Sequence, residues 1–180
     1  FITDTYHSLK IQLSLYEKHL SKYSKKSSNL VELGAGYGSK LFQLSCYDSL
    51  KHLKLIAGEF TDSGCKLIKK ISSEIKKPVH VSEFDFVNIN SNQINFPENS
   101  LIFTSYSLHY AKGLKENFID YLLESNPSAI IFFEPIYDFF DEKSVHGLMC
   151  KKYMELNDYT TNLYSLISNG SRKNKMKLKI

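Results

Sequence analysis

An apolar stripe opens the chain. Ile2, Tyr6, Leu9, Leu13, Tyr16, Leu20 and Tyr23 follow one another at alternating steps of four and three, which places them along one side of a helix. The spacing predicts a helix over 4–24 whose stripe packs on the chain's own domain; a homodimer through the same helix is its alternative use. Polar residues Lys25 to Ser28 then form a linker. From Asn29 onward short apolar runs alternate with longer amphipathic ones, the pattern of repeated β-α units around a parallel sheet. Strands are predicted at 30–33, 53–57, 79–81, 101–104 and 130–133, and helices at 40–46, 62–76 and 115–124. Beyond Pro135 an aromatic, acidic loop leads to a helical stretch at 145–167 and a candidate strand at 176–180. With no internal repeat, the organisation is a helix and linker at 1–28 and one Rossmann-like α/β domain at 29–180, with helices on both faces of a mostly parallel sheet.

Composition narrows the partners. The 180 residues are 42% hydrophobic and 23% charged, ordinary for a globular domain, and no apolar run approaches the roughly 18 residues of a membrane span. The net charge of +4 is concentrated at one terminus: Arg172, Lys173, Lys175, Lys177 and Lys179 carry five positives, without which the balance is −1. A solvated basic tail explains this more simply than a nucleic-acid surface. Three scattered cysteines, Cys46, Cys65 and Cys150, suit neither a disulfide framework nor a zinc site and fit a reducing cytoplasm.

The segment with chemistry in it is Glu32-Leu33-Gly34-Ala35-Gly36-Tyr37-Gly38. It follows a predicted strand and opens a predicted helix, where an open α/β sheet places its ligand crevice. Glycine serves there because a tight turn needs unusual backbone angles and a missing β-carbon lets a ligand approach the main chain. Glu32, two residues before the first glycine, can receive an ammonium group. Glu59, twenty-five residues after Gly34, ends the second strand, from which an acid accepts hydrogen bonds from ribose hydroxyls. Phe60 beside it either covers an adenine face or fills the core.

VELGAGYG followed by LIAGEF resembles the first two motifs of class I S-adenosylmethionine-dependent methyltransferases. SEFDF resembles the segment in which an acid, here Asp85, meets the adenine amino group while Phe86 lies against the ring. SLIFTSYSLHY resembles the fourth motif and AIIFFEP the fifth strand, so the likeness runs in order over 29–135. The resemblance implies S-adenosyl-L-methionine as cofactor, held by Glu32, Gly34, Ala35, Gly36, Gly38, Glu59, Phe60, Asp85, Phe86 and Ser105. It also implies a terminal antiparallel hairpin. Only KMKLKI stands in its place, so a truncated hairpin and a fragment of a longer protein are expected.

Methyl transfer from a sulfonium is an in-line displacement that needs alignment, exclusion of water and, for a hydroxyl acceptor, a base. His109, about a turn beyond the fourth strand, is the base candidate. Glu134, before Pro135, orients the acceptor or the base, or caps a loop. Tyr106 and Tyr110 flank His109, and Tyr137 belongs to the aromatic, acidic loop suited to a lid; these three are the substrate candidates. Asp138, Asp141 and His146 have no recognisable ligand spacing, so no metal is expected. The reading is a methyltransferase acting on oxygen or nitrogen of a small-molecule or glycan acceptor. The alternatives are a non-catalytic binding or dimerisation module on the same fold and a nicotinamide-dependent oxidoreductase. The last is disfavoured because Ser39 replaces the third glycine of its fingerprint and Glu32 would face phosphates.

Overall fold

The computed structural model describes residues 4–91, 94, 96–174 and 177–179. Helix α1 (Thr5–Ser24) begins at Asp4, whose carboxylate accepts the His7 N–H at 2.8 Å, a side-chain N-cap. Leu13, Tyr16 and Leu20 of its stripe are buried in the chain's own core; Ile2 lies outside the described residues. The units that follow are β1 (Asn29–Leu33), α2 (Ser39–Leu44), β2 (Lys54–Glu59), α3 (Asp62–Glu74), β3 (Val79–Glu83), β4 (Ser100–Ser105), α4 (Phe118–Leu123), β5 (Ala129–Phe133), α5 (Val145–Leu156) and α6 (Leu163–Lys173).

The five strands form one parallel sheet in the order β3-β2-β1-β4-β5. Strands β1 and β4, and β2 beyond its exposed first residue Lys54, are largely apolar and buried on both faces, as parallel strands under helices must be. Alternation divides their side chains between two cores. Leu30, Leu101 and Phe103 join α1, α2 and α3 on one face, while Val31, Leu33 and Ile102 meet α4 and α6 on the other. Strand β5 pairs only with β4 among the described residues, and all five of its residues are half-buried.

The chain runs outward from β1 to β2 and β3, then crosses back to β4 and β5. The order therefore reverses between β1 and β4, and at such a point the loops leaving the two strands part to leave a crevice. The segments after Leu33 and Ser105 flank it.

The helix predicted at 145–167 is instead two. Asp158 adopts a left-handed φ of +57°, Tyr159 N–H returns to Met154 O at 2.9 Å and Asp158 N–H to Glu155 O at 3.1 Å. This paired closure ends α5 at its last carbonyls. Thr160 N–H then bonds His109 O at 2.9 Å, docking the connector beside the fourth-strand loop. Of the candidate strand at 176–180, Met176 and Ile180 lie outside the described residues, and 177–179 carry no regular structure. Among the described residues no helix is long and apolar enough to cross a membrane.

Candidate functional site

The loop after β1 is hooked to β2 by two hydrogen bonds, Gly34 N–H and Ala35 N–H both donating to Gly58 O at 2.8 and 3.1 Å. Gly34 (φ +72°) passes so close to the β4 loop that a β-carbon there would sit 2.4 Å from Ser107 Cβ. Gly36 (φ +60°) is different: nothing lies within 4 Å of where its β-carbon would be, so the loop presents bare backbone to open space. Gly38 opens α2.

Two acids bracket this loop. Glu32 is 1% exposed, and its carboxylate accepts one hydrogen bond, from Leu41 N–H of α2 at 3.1 Å. Burial pushes its carboxyl up to about 8, against the smaller opposing pulls of Lys40 and the Leu41 bond. Glu59, at the end of β2, accepts Gly36 N–H at 2.8 Å on one oxygen, and Thr61 N–H and hydroxyl at 3.0 and 2.8 Å on the other. It thereby clips the glycine loop to the start of α3. Phe60 beside it is 66% exposed. Asp85 accepts Val87 N–H at 2.7 Å and Asn88 N–H at 3.1 Å, closing a turn that seats Phe86 edge-on to Phe84, with ring centroids 5.2 Å apart. The Phe86 ring reaches to 3.1 Å from the β-carbon position of Gly34.

Across the crevice, Glu134 is the hub. Its side chain is wholly buried and accepts Ser107 N–H and Leu108 N–H, each at 3.1 Å, and the His109 ring at Nδ1, 2.9 Å away. The acid at the end of β5 thus holds the 3-10 turn Leu108–Tyr110 and fixes the imidazole together. Because a carboxylate surrounded by donors accepts, this network assigns a proton to His109 Nδ1 and leaves Nε2 outside the Glu134 contact. Ser107 Oγ donates to Leu33 O at 3.0 Å, tying the turn to β1. Tyr106, between the strand and the turn, holds φ +50°, a conformation costly for an aromatic residue. Next to His109 opens a cavity of about 420 Å³, bounded by Pro135, Phe140 and α5.

No protein-family profile matches the chain, and no curated protein sequence does. Solved structures do match in three dimensions. A candidate sarcosine dimethylglycine methyltransferase from Galdieria sulphuraria is 16% identical over 91% of this chain and 61% of its own, with TM-score 0.64. The plantazolicin methyltransferase BpumL, in complex with a monoazolic desmethylPZN analog and SAH, is 13% identical over 93% and 67%, with TM-score 0.58. Coclaurine N-methyltransferase, bound to N-methylheliamine and SAH, is 15% identical over 69% and 35%, with TM-score 0.53. The fold is that of the class I S-adenosylmethionine-dependent methyltransferases. The chain spans 61% of the first of these proteins and 35% of the third.

On this methyltransferase fold the predicted cofactor residues Glu32, Gly34, Ala35, Gly36, Gly38, Glu59, Phe60, Asp85 and Phe86 all fall on the segments leaving β1, β2 and β3 or at those strands' ends. Ser105 is also at a strand end, but it is 3% exposed and its hydroxyl is bonded to Tyr16 OH at 2.7 Å. His109 and Glu134 meet directly. Tyr106 and Tyr110 are 54% and 58% exposed beside them. Tyr137 stands apart from the cavity: its hydroxyl donates to Glu155 at 2.6 Å, and that bond raises its pKa. Sequence reasoning missed Tyr16. It reads there as one more core residue, yet its ring stacks on Phe133 at 4.1 Å, and burial pushes its hydroxyl up to about 12, with Tyr106, Glu134 and Glu32 adding to the rise. It missed the α5 wall too, Cys150, Tyr153 and Met154.

Proposed function

We propose that the chain transfers a methyl group from S-adenosylmethionine to an oxygen or nitrogen of a small-molecule acceptor. The open space over Gly36, whose N–H is held by Glu59, carries this reading. The residues present suit the cofactor: bare backbone for the nucleoside, Glu59 for the ribose hydroxyls, Glu32 for the ammonium group, and Asp85 and Phe86 for the base. SAH in the BpumL and coclaurine N-methyltransferase structures supports the same choice. A dinucleotide is disfavoured, because Ser39 stands where its fingerprint has a third glycine.

S-adenosylmethionine supplies an electrophilic methyl carbon on a sulfonium centre. The chain's own residues align the acceptor, keep water out and take up a proton. His109 is assigned the base role through Nε2, and Glu134 acts on it as a positioning residue by holding Nδ1. Titration calorimetry with SAH tests the cofactor half. Gly36→Val fills the open space and should abolish the heat of binding; unchanged affinity in that variant counts against the assignment.

A further inference from the structure

His109, which lines the cavity, is tied to the end of β1 through bonded neighbours. Leu33 O accepts Ser107 Oγ, Ser107 N–H reaches Glu134, and Glu134 holds His109. An acceptor seated there would therefore rest against a residue, His109, that is fixed to the end of β1. The hollow, about 420 Å³ in volume and open to solvent on one side, has room for a small molecule.

The lining is chemically one-sided. Phe140, Tyr153 and Tyr159 contribute rings, Met149 and Met154 thioethers, and Pro135 its pyrrolidine. The remaining described lining residues are His109, His146 and Cys150. No Asp, Glu, Lys or Arg is among them, so a sugar or amino acid would bury hydroxyls or charges without strong partners. A cationic amine fares no better. Tyr159 meets Tyr110 and Tyr153 edge-to-face at centroid distances of 4.9 and 5.8 Å, and among the described residues no carboxylate lines the cavity to pair with an ammonium. Flat apolar walls with thioether gap-fillers suit an aromatic ring system.

The proton to be removed narrows the class further. A free imidazole has a pKa of about 6.5 and a phenol about 10, whereas an aliphatic hydroxyl lies close to water, near 16. Of the two, only the phenol is acidic enough to suit an imidazole base. We infer that the cavity beside His109 receives a neutral aromatic acceptor and presents its phenolic hydroxyl to Nε2. This rests on the methyltransferase reading above and names its substrate class. In the transfer the phenolic oxygen gains the methyl carbon, the donor's carbon–sulfur bond breaks with its electron pair left on sulfur, and the phenolic proton passes to His109.

The test uses 2-naphthol as the probe and Cys150 as a reporter, because Cys150 lines the cavity whereas Cys46 is exposed away from it. With naphthol at four times its dissociation constant, iodoacetamide alkylation of Cys150 should slow about fivefold while Cys46 is unaffected. With S-adenosylmethionine present, mass spectrometry should find methoxynaphthalene. Met149→Trp, which fills the cavity from an exposed position, should weaken naphthol protection about tenfold and leave SAH affinity unchanged. SAH binding without Cys150 protection, with methyl transfer to a hexose or an alkylamine instead, overturns the phenolic assignment and spares the methyltransferase reading. Absence of SAH binding defeats that reading and the phenolic transfer with it; Cys150 protection then reports only whether the cavity takes an aromatic molecule.

Discussion

Glu32 should make cofactor binding a proton-releasing event. Its carboxyl is 1% exposed, has one hydrogen-bond partner, and is raised by burial to about 8. At pH 7 about nine molecules in ten then hold it neutral. An amino-acid ammonium favours the carboxylate, so binding has to expel that proton. The ionised fraction climbs from about 1% at pH 6 to about 9% at pH 7, so SAH should bind about ninefold more tightly at the higher pH. Near pH 8 the ligand's own amino group, with a pKa of about 8, begins to lose its charge and the gain stops. Calorimetry at pH 6.5 in two buffers of different protonation heat reads the effect directly, with close to one proton released per ligand. Glu32→Gln should flatten the trend and remove the release. Equal affinity at pH 6 and 7 with no proton released refutes the argument, even if SAH binds.

The same carboxyl governs the ligand-free protein. Its folded pKa lies above the unfolded value, so the unfolded chain binds fewer protons between pH 5 and 8 and stability falls across that window by a few kcal/mol. Thermal melts should show the fall, and Glu32→Gln should reduce it; parallel curves would contradict it. Glu134→Ala strands the donors of Ser107, Leu108 and His109 in a buried site, and urea unfolding should register a loss of about 3–5 kcal/mol. The milder Glu134→Gln should lower kcat by about tenfold or more with SAH affinity held and a smaller loss of stability than Glu134→Ala; a loss of stability with kcat unchanged would assign it a structural role alone. Tyr16→Phe leaves Ser105 Oγ without its 2.7 Å partner and should cost about 1–2 kcal/mol; a change near zero would show that Ser105 repairs the bond elsewhere.

Strand positions were legible because each is an apolar run between turn signals, and the glycine loop because its residues sit together at Glu32 to Gly38. Contacts between distant segments were less so. His109 and Glu134 each stood out as a polar residue past a strand end, but their bond depends on β4 and β5 being neighbours. The break after α5 was hidden because apolar spacing continues through Leu156, Tyr159 and Leu163, and nothing in that periodicity marks Asp158 as left-handed. Tyr16 was hidden for the opposite reason: its place in the stripe was correct, and only its hydroxyl departs from a core role.

Gly34 and Ser107 meet with no room for a single carbon between them. The loop after β1 and the turn after β4 are thus geared together at one tooth. A methyl group added at position 34 has to thrust Ser107 outward, drawing its N–H off Glu134 and its hydroxyl off Leu33. The imidazole would then lose its anchorage through a change made on the far side of the cleft.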